Sequence, residues 1–518
     1  MFVIILIILA LITYIKLIQP LSYWKSRGVK YKKPIPILGN SSPLLFNRKS
    51  FFEHTHDLYK EFSNERYFGS FLFGKPVLYI NDLELIKRIL IKDFDQFVDH
   101  NNIISEEAEP LVGRNLFNLK EQEWRHMRPA LSPLFTSSKM RIMFTLVSDI
   151  AQEFVKYFEK QNKQLIDLEM KDTFTRFTND AVASTCFSLK IDSLKNETNQ
   201  LYVLGKEATS FSGIRYTAFN IYTMIPKIAK MLKLRIISRT AASFFRRVIK
   251  ETLQKRETED LIQFDLIHLL MEARKSKISG NDCNLENKNS EVENEKKDRK
   301  MTITDEDITA LSMLFYFGGF EPSSNFLTFM SYELAKNPTI QRKLQTEIAE
   351  TLKKCDGQVT YEAINEMKYF SMVVAETLRK WPPAFILDRV CTKDYIIEPS
   401  NPWEKRLIIE RGTILHCSVV GIHWDPRYFP NPKKFNPERF SDQSKIPLSS
   451  YLPFGLGPRS CIGSRFSLME NKILFFHLLS KFDIVTTNKT SDSIKLKKDT
   501  PNLVSANGIW LGLSKRSF

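Results

Sequence analysis

Pro453–Glu470 reads PFGLGPRSCIGSRFSLME. Cys461 follows Gly455, Gly457 and Pro458, and a helix is expected to open near Ile462. A cysteine at a helix N-terminus has its thiolate favoured by backbone N–H groups, by the helix dipole and by a cation such as Arg459. Gly457 and Gly463, on either side, let the backbone approach something flat and bulky. By itself, a lone cysteine beside a glycine turn is ordinarily a buried structural residue. The surrounding chain decides between the two.

Upstream, ETLR places Glu376 and Arg379 on one helix face, ordinarily a surface ion pair. WPP and then NPERF follow, the latter with Arg439. WRHMR sets Trp124 and Arg128 one turn apart, and ILDR ends on Arg389. GGFEPSS, Gly318 to Ser324, lies inside an apolar run from Leu311 to Met330 that reads as a buried helix. Each glycine there costs about 1 kcal/mol against alanine and the proline about 3. TITDED caps this helix, with Thr304 as N-cap and Asp307 at the third helical position.

The chain has 518 residues, 43% of them apolar and 26% charged, as in a folded protein. Its net charge of +16 suits an acidic partner or an anionic membrane surface. No basic stripe with interleaved aromatics is present, so nucleic acid is excluded as a partner. Cys186, Cys283, Cys355, Cys391, Cys417 and Cys461 form no C-x-x-C pair, which favours a reducing compartment. Residues 1–19 hold an apolar run from Phe2 to Ile18, with Lys16 as its only charge, and precede Lys25, Arg27, Lys30, Lys32 and Lys33. This pattern predicts a retained transmembrane signal-anchor whose basic flank stays cytoplasmic. Residues 20–40, with Pro34, Pro36 and Gly39, read as a basic hinge. The sequons at Asn40, Asn196 and Asn488 are then expected to stay unmodified. Residues 41–518 read as one domain, mainly α with small β-sheets, interrupted by a polar surface loop at 275–301.

Phe454, Gly457, Arg459, Cys461 and Gly463 reproduce the F-x-x-G-x-R-x-C-x-G loop, and with it the chain resembles the cytochrome P450 superfamily. The resemblance covers essentially everything after the anchor. It implies a cytochrome P450 fold and haem b with Cys461 as axial thiolate ligand. Trp124, Arg128, Arg389 and Arg459 would hold the haem propionates. Glu376, Arg379 and Arg439 would be the structural triad beneath the haem. NLFNLKEQEWRHMRPALSPLFTSSKMR, FTRFTNDAVAST and TDEDITALSMLFYFGGFE are similar to insect microsomal enzymes of family nine, neighbours of families three and six. Such enzymes reside in the endoplasmic reticulum membrane with a cytosolic catalytic domain. They take electrons from NADPH through a flavoprotein reductase, in some cases with cytochrome b5, and oxidise lipophilic foreign compounds.

In that family the long helix carries A/G-G-x-E/D-T-T/S. Gly318, Gly319, Glu321 and Ser323 match, whereas Pro322 stands where the threonine usually is. The glycines are expected to let oxygen lie against a locally broken helix. Productive oxygen cleavage needs protons from a positioned donor or ordered water. Ser323 swung inward by a kink, Glu321 organising water, or a substrate hydroxyl remain the candidates. The rival reading is a reductase-independent isomerase or dehydratase of lipid peroxides; a non-catalytic haem carrier has no sequence support. Asn102–Leu119, Ser210–Lys230, Phe315, Phe320, Ala384–Leu387 and Leu503–Ala506 would line a mostly apolar pocket. Phe219–Met231, apolar with flanking lysines, is a candidate for contact with the membrane surface.

Overall fold

A computed structural model describes residues 19–260, 263, 265–279 and 303–516. The anchor expected at 1–19 and the loop expected at 275–301 therefore lie, but for their edges, outside the described residues. Among the described residues no helix is long and apolar enough to cross a membrane.

Six helices position the site: α1 (Glu121–Leu131), α2 (Ser137–Glu159), α3 (Met170–Phe187), α4 (Asp305–Lys336), α5 (Lys368–Lys380) and α6 (Ser464–Lys481). In α2, Met140, Met143, Phe144, Val147, Ala151, Phe154 and Phe158 recur at helical spacing and are buried. α4 is a 32-residue helix with the expected capping box. Thr304 Oγ1 accepts from the Asp307 N–H at 3.2 Å, and Asp307 Oδ2 accepts from the Thr304 N–H at 2.8 Å. It packs against α3, while α6 packs against α2, and all four share the main hydrophobic core.

Nine strands are described, β1 (Tyr67–Leu72), β2 (Lys75–Ile80), β3 (Leu165–Glu169), β4 (Ile386–Val390), β5 (Tyr395–Ile397), β6 (Leu407–Ile409), β7 (Ile414–Ser418), β8 (Phe482–Val485) and β9 (Trp510–Lys515). They form sheets in the orders β1-β2-β7-β4, β3-β9-β8 and β5-β6. β2 runs parallel to β7, and β4 pairs antiparallel with β7, setting Arg389 opposite Leu415. The mainly helical architecture with small sheets is the expected one.

Residues 20–40, expected as a hinge, lie against β1. Trp24 is buried and its indole N–H donates to the Ser70 carbonyl at 3.0 Å. The Asn40 side-chain oxygen accepts from the Phe71 N–H at 2.9 Å and the Ser70 hydroxyl at 3.0 Å. This amide is engaged inside the fold, its Nδ2 also donating to the Lys33 carbonyl at 3.0 Å.

Candidate functional site

The Cys461 loop is closed by its own backbone, the Cys461 N–H donating to the Phe454 carbonyl at 2.8 Å. Gly457 sits at φ 77°, and a Cβ there would overlap the Leu90 carbonyl oxygen, so only glycine fits. Gly463 is the N-cap of α6, which begins at Ser464, two residues later than the pattern predicts. The Cys461 side chain is exposed. Burial of the surrounding loop pushes its thiol pKa up, opposed by the Gly463 N–H and by Arg128. The cation acting on the sulfur is thus Arg128, on α1, and not the expected Arg459. Arg128 Nη2 donates to the Ser460 carbonyl at 2.9 Å, which fixes the guanidinium one residue from the thiol.

The triad forms beneath this loop. Arg379 donates through Nε to Glu376 Oε2 at 2.7 Å and through Nη2 to Oε1 at 2.9 Å, both side chains fully buried. Arg439 Nε reaches Glu376 Oε1 at 3.4 Å, and the Asn436 N–H donates to the same oxygen at 2.8 Å. His423, which sequence reading missed, continues the chain of bonds. Its Nδ1 meets the Arg379 carbonyl at 3.1 Å, and its Nε2 accepts from the Leu452 N–H at 2.8 Å. Leu452 lies two residues before Phe454, so α5 and the cysteine loop are tied through one imidazole. Burial, then the neighbouring Arg379, lower its pKa to about 3, leaving it neutral as this bonding requires.

The propionate candidates separate into two kinds. Arg459 is committed to backbone, donating to the carbonyls of Val98 (2.8 Å), Leu116 (3.2 Å), Phe117 (3.3 Å) and Leu119 (2.6 Å). Its guanidinium lies 4.2 Å from the centre of the buried Trp124 ring. Arg389, on β4, is 3% exposed, and its Nε–H has no acceptor. Burial pushes the Arg459 pKa down first, and the Arg389 and Arg128 charges push it further, against Asp99 and Asp388. Cations that repel one another, with a buried donor unused, fit an anionic group held between them. Together with the accessible thiol, this donor set fits haem.

The long helix carries the opposing face. Between its ends, Gly318 and Pro322 are the exposed residues of α4, one turn apart. A Cβ on Gly318 would meet nothing within 4 Å. Phe135 joins this face to the cysteine loop, stacking on Phe315 at 6.0 Å and standing 4.0 Å from a Cβ built on Gly463. Several expectations are corrected here. The helix is continuous through Pro322, losing one N–H without dividing. Gly319 faces α3, where a Cβ would come 2.6 Å from Val182 Cγ2, so it serves helix packing and not the open face. Glu321 pairs with Lys171 of α3 at 3.0 Å. Ser323 is 1% exposed and turned away from the Gly318–Pro322 face. Phe320 is fully buried and stacked on Tyr316 at 5.3 Å.

A cavity of about 290 Å³ lies beside α4, lined by Phe211, Ser212, Asn325, Val504 and Ser505 but also by Lys171 and Lys206. Segments expected to line an apolar pocket do meet there, in more charged company. In Phe219–Met231 and just beyond it, Ile225, Ile228, Met231 and Leu232 are exposed.

A family model described as Cytochrome P450 matches residues 29–507. The chain is 43% identical to "Cytochrome P450 9e2" of Blattella germanica, over 96% of this chain and 94% of that one. It is 35% identical to "Probable cytochrome P450 9f2" of Drosophila melanogaster, over 96% and 95% of the two chains. "Cytochrome P450 6k1" of Blattella germanica is 33% identical over 95% and 93%.

Proposed function

Because the chain belongs to the cytochrome P450 family of haem-thiolate monooxygenases, with relatives in insect family nine, we propose that it inserts one oxygen atom of O2 into a lipophilic small molecule. Electrons come from NADPH through a flavoprotein reductase. The observation that carries this reading is the accessible Cys461 thiol on a closed loop, joined through Phe135 to the open Gly318–Pro322 face of α4.

When bound, haem supplies oxygen activation at an iron ligated by thiolate. Cys461 would be the ligand, and Arg389, Arg128 and Trp124 would hold the propionates. Arg459 holds the segment before α1 against the loop, and Glu376, Arg379 and Arg439 fix the loop from below. Gly318 leaves room above it. The Lys171–Glu321 ion pair lies beside the helix and the cavity. The substrate is a foreign compound such as a plant toxin or insecticide, or an endogenous lipid. The +16 charge supports docking of an acidic reductase, and of cytochrome b5. The amino-terminal apolar run and the exposed Ile225–Leu232 apolar residues support an endoplasmic reticulum membrane location with the body in the cytosol.

The test follows NADPH consumption, hydrogen peroxide release and product together, with haem-loaded protein, reductase and a panel of lipophilic probes. Product formed in proportion to NADPH supports the monooxygenase. Rearrangement of lipid peroxides with NADPH unused by every probe would establish the isomerase or dehydratase reading, which the missing hydroxyl at Pro322 favours.

A further inference from the structure

Leu452–Gly455 is the limb of chain that enters the cysteine loop, and Pro453 gives it no N–H at its second residue. The Leu452 N–H donates to His423 Nε2 at 2.8 Å, and the Gly455 N–H returns to the Leu452 carbonyl at 3.2 Å. The peptide unit that carries the Gly455 N–H also carries the Phe454 carbonyl, which accepts the Cys461 N–H at 2.8 Å. A continuous run of bonds therefore leads from the imidazole to Cys461. Arg379 holds the imidazole's own residue twice. Its carbonyl meets Nδ1 at 3.1 Å, and its Nη1 donates to the His423 carbonyl at 2.8 Å. The Tyr451 ring stacks on the imidazole at 5.4 Å. These partners fix the tautomer: a carbonyl only accepts and a backbone N–H only donates, so the proton is on Nδ1. Leu452 is fully buried, so its N–H has no water to turn to if the imidazole is lost.

We infer that His423 is a positioning residue for Cys461: by holding Leu452 it keeps the sulfur within reach of the groups that favour its thiolate, so that thiolate and not thiol ligates the iron. The inference rests on Cys461 being that ligand, and on no choice of substrate. The Gly463 N–H and the Arg128 cation favour the thiolate, against burial. Both act on the sulfur only where the loop places it. With Leu452 released, the Phe454 carbonyl moves off the Cys461 N–H and the sulfur turns away from the Gly463 N–H. The thiolate then takes a proton from solvent and becomes the weaker, neutral ligand. No electrons move in this step.

The experiment compares haem-loaded wild-type protein with His423→Phe, His423→Gln and Tyr451→Phe. Phenylalanine keeps a flat ring without either bond, whereas glutamine restores one donor and one acceptor. Tyr451→Phe removes the hydroxyl's 3.0 Å bond to the Ala375 carbonyl, a second tie between this limb and α5, and leaves the Leu452 N–H alone. The absorption band of the reduced carbon monoxide complex separates thiolate from thiol ligation. The reduction potential and denaturant unfolding are read alongside. His423→Phe is expected to raise the ratio of thiol to thiolate form about tenfold, the worth of about one hydrogen bond, and to move the potential to more positive values. Glutamine is expected to return both close to wild type. Tyr451→Phe is expected to lose stability as His423→Phe does, yet to keep the wild-type ratio and potential. An unchanged ratio in His423→Phe, the same rise in Tyr451→Phe, or no recovery with glutamine overturns the positioning role and leaves Cys461 as ligand. Absence of the thiolate band from wild-type protein overturns Cys461 as ligand, and the positioning role with it.

Discussion

Arg389 presents a buried guanidinium whose Nε–H has no acceptor, and this makes it the residue most informative about the cofactor. Its Nη1 already donates to the Asp388 carbonyl at 2.7 Å, so an anion is needed only for what remains. Arg389→Gln is therefore expected to speed haem loss at least tenfold in a haem-transfer assay while leaving the cofactor-free fold as stable or more so, since an under-compensated buried charge is removed. Haem loss at the wild-type rate would contradict the propionate role. Glu470 makes a prediction of the opposite sign from an ordinary carboxylate. Its folded pKa, about 8, lies above the ordinary value of 4.5, so its contribution is fully present below about 4.5 and is lost as pH rises toward 8. Glu470→Gln is expected to gain stability on wild type across that window, by up to about 1.4 kcal/mol per pH unit. Parallel denaturant titrations between pH 5 and 8 would expose a flat difference if the acid were not buried.

On α4 the two adjacent glycines separate by function. Gly319→Ala places a methyl 2.6 Å from Val182 Cγ2, so a loss of about 1–3 kcal/mol is expected, largely recovered by adding Val182→Ala. Gly318→Ala meets nothing and is expected to gain about 1 kcal/mol of helix propensity, yet to reduce carbon monoxide affinity of the reduced haem protein. Equal stability effects at the two positions would remove the distinction. In sequence the pair was indistinguishable, because which side of a largely apolar helix meets α3 is set by a partner more than a hundred residues away. The capping box, by contrast, was readable, since Thr304 and Asp307 are local. Ser323 was misplaced for a related reason: a proline was expected to bend the helix, but packing on α3 and α6 keeps it continuous.

Across the whole molecule, what was legible was spacing within short motifs, and what was not was the contact between them. The residues of the triad were named from ETLR and NPERF, but nothing in the chain showed that His423 would carry the connection from Arg379 to Leu452. Arg128 and Arg459 were both recognisable cations, and only the fold turns the first toward Cys461 and the second onto four carbonyls. Glu376→Ala would leave Arg379 and Arg439 buried without their carboxylate, and a loss of about 3–5 kcal/mol is expected in denaturant unfolding of the haem-loaded protein. At +16, association with an acidic reductase is expected to slow several-fold as ionic strength rises from low to physiological values, measured as the rate of first electron entry. The most direct test of the central claim is turnover of a lipophilic probe under isotopically labelled dioxygen, with NADPH, reductase and either wild-type or Cys461→Ser protein. The account predicts one labelled oxygen atom in the product from wild type and no labelled product from the serine variant. Product oxygen drawn from water or from a lipid peroxide, or labelled product persisting without the thiol, would contradict it.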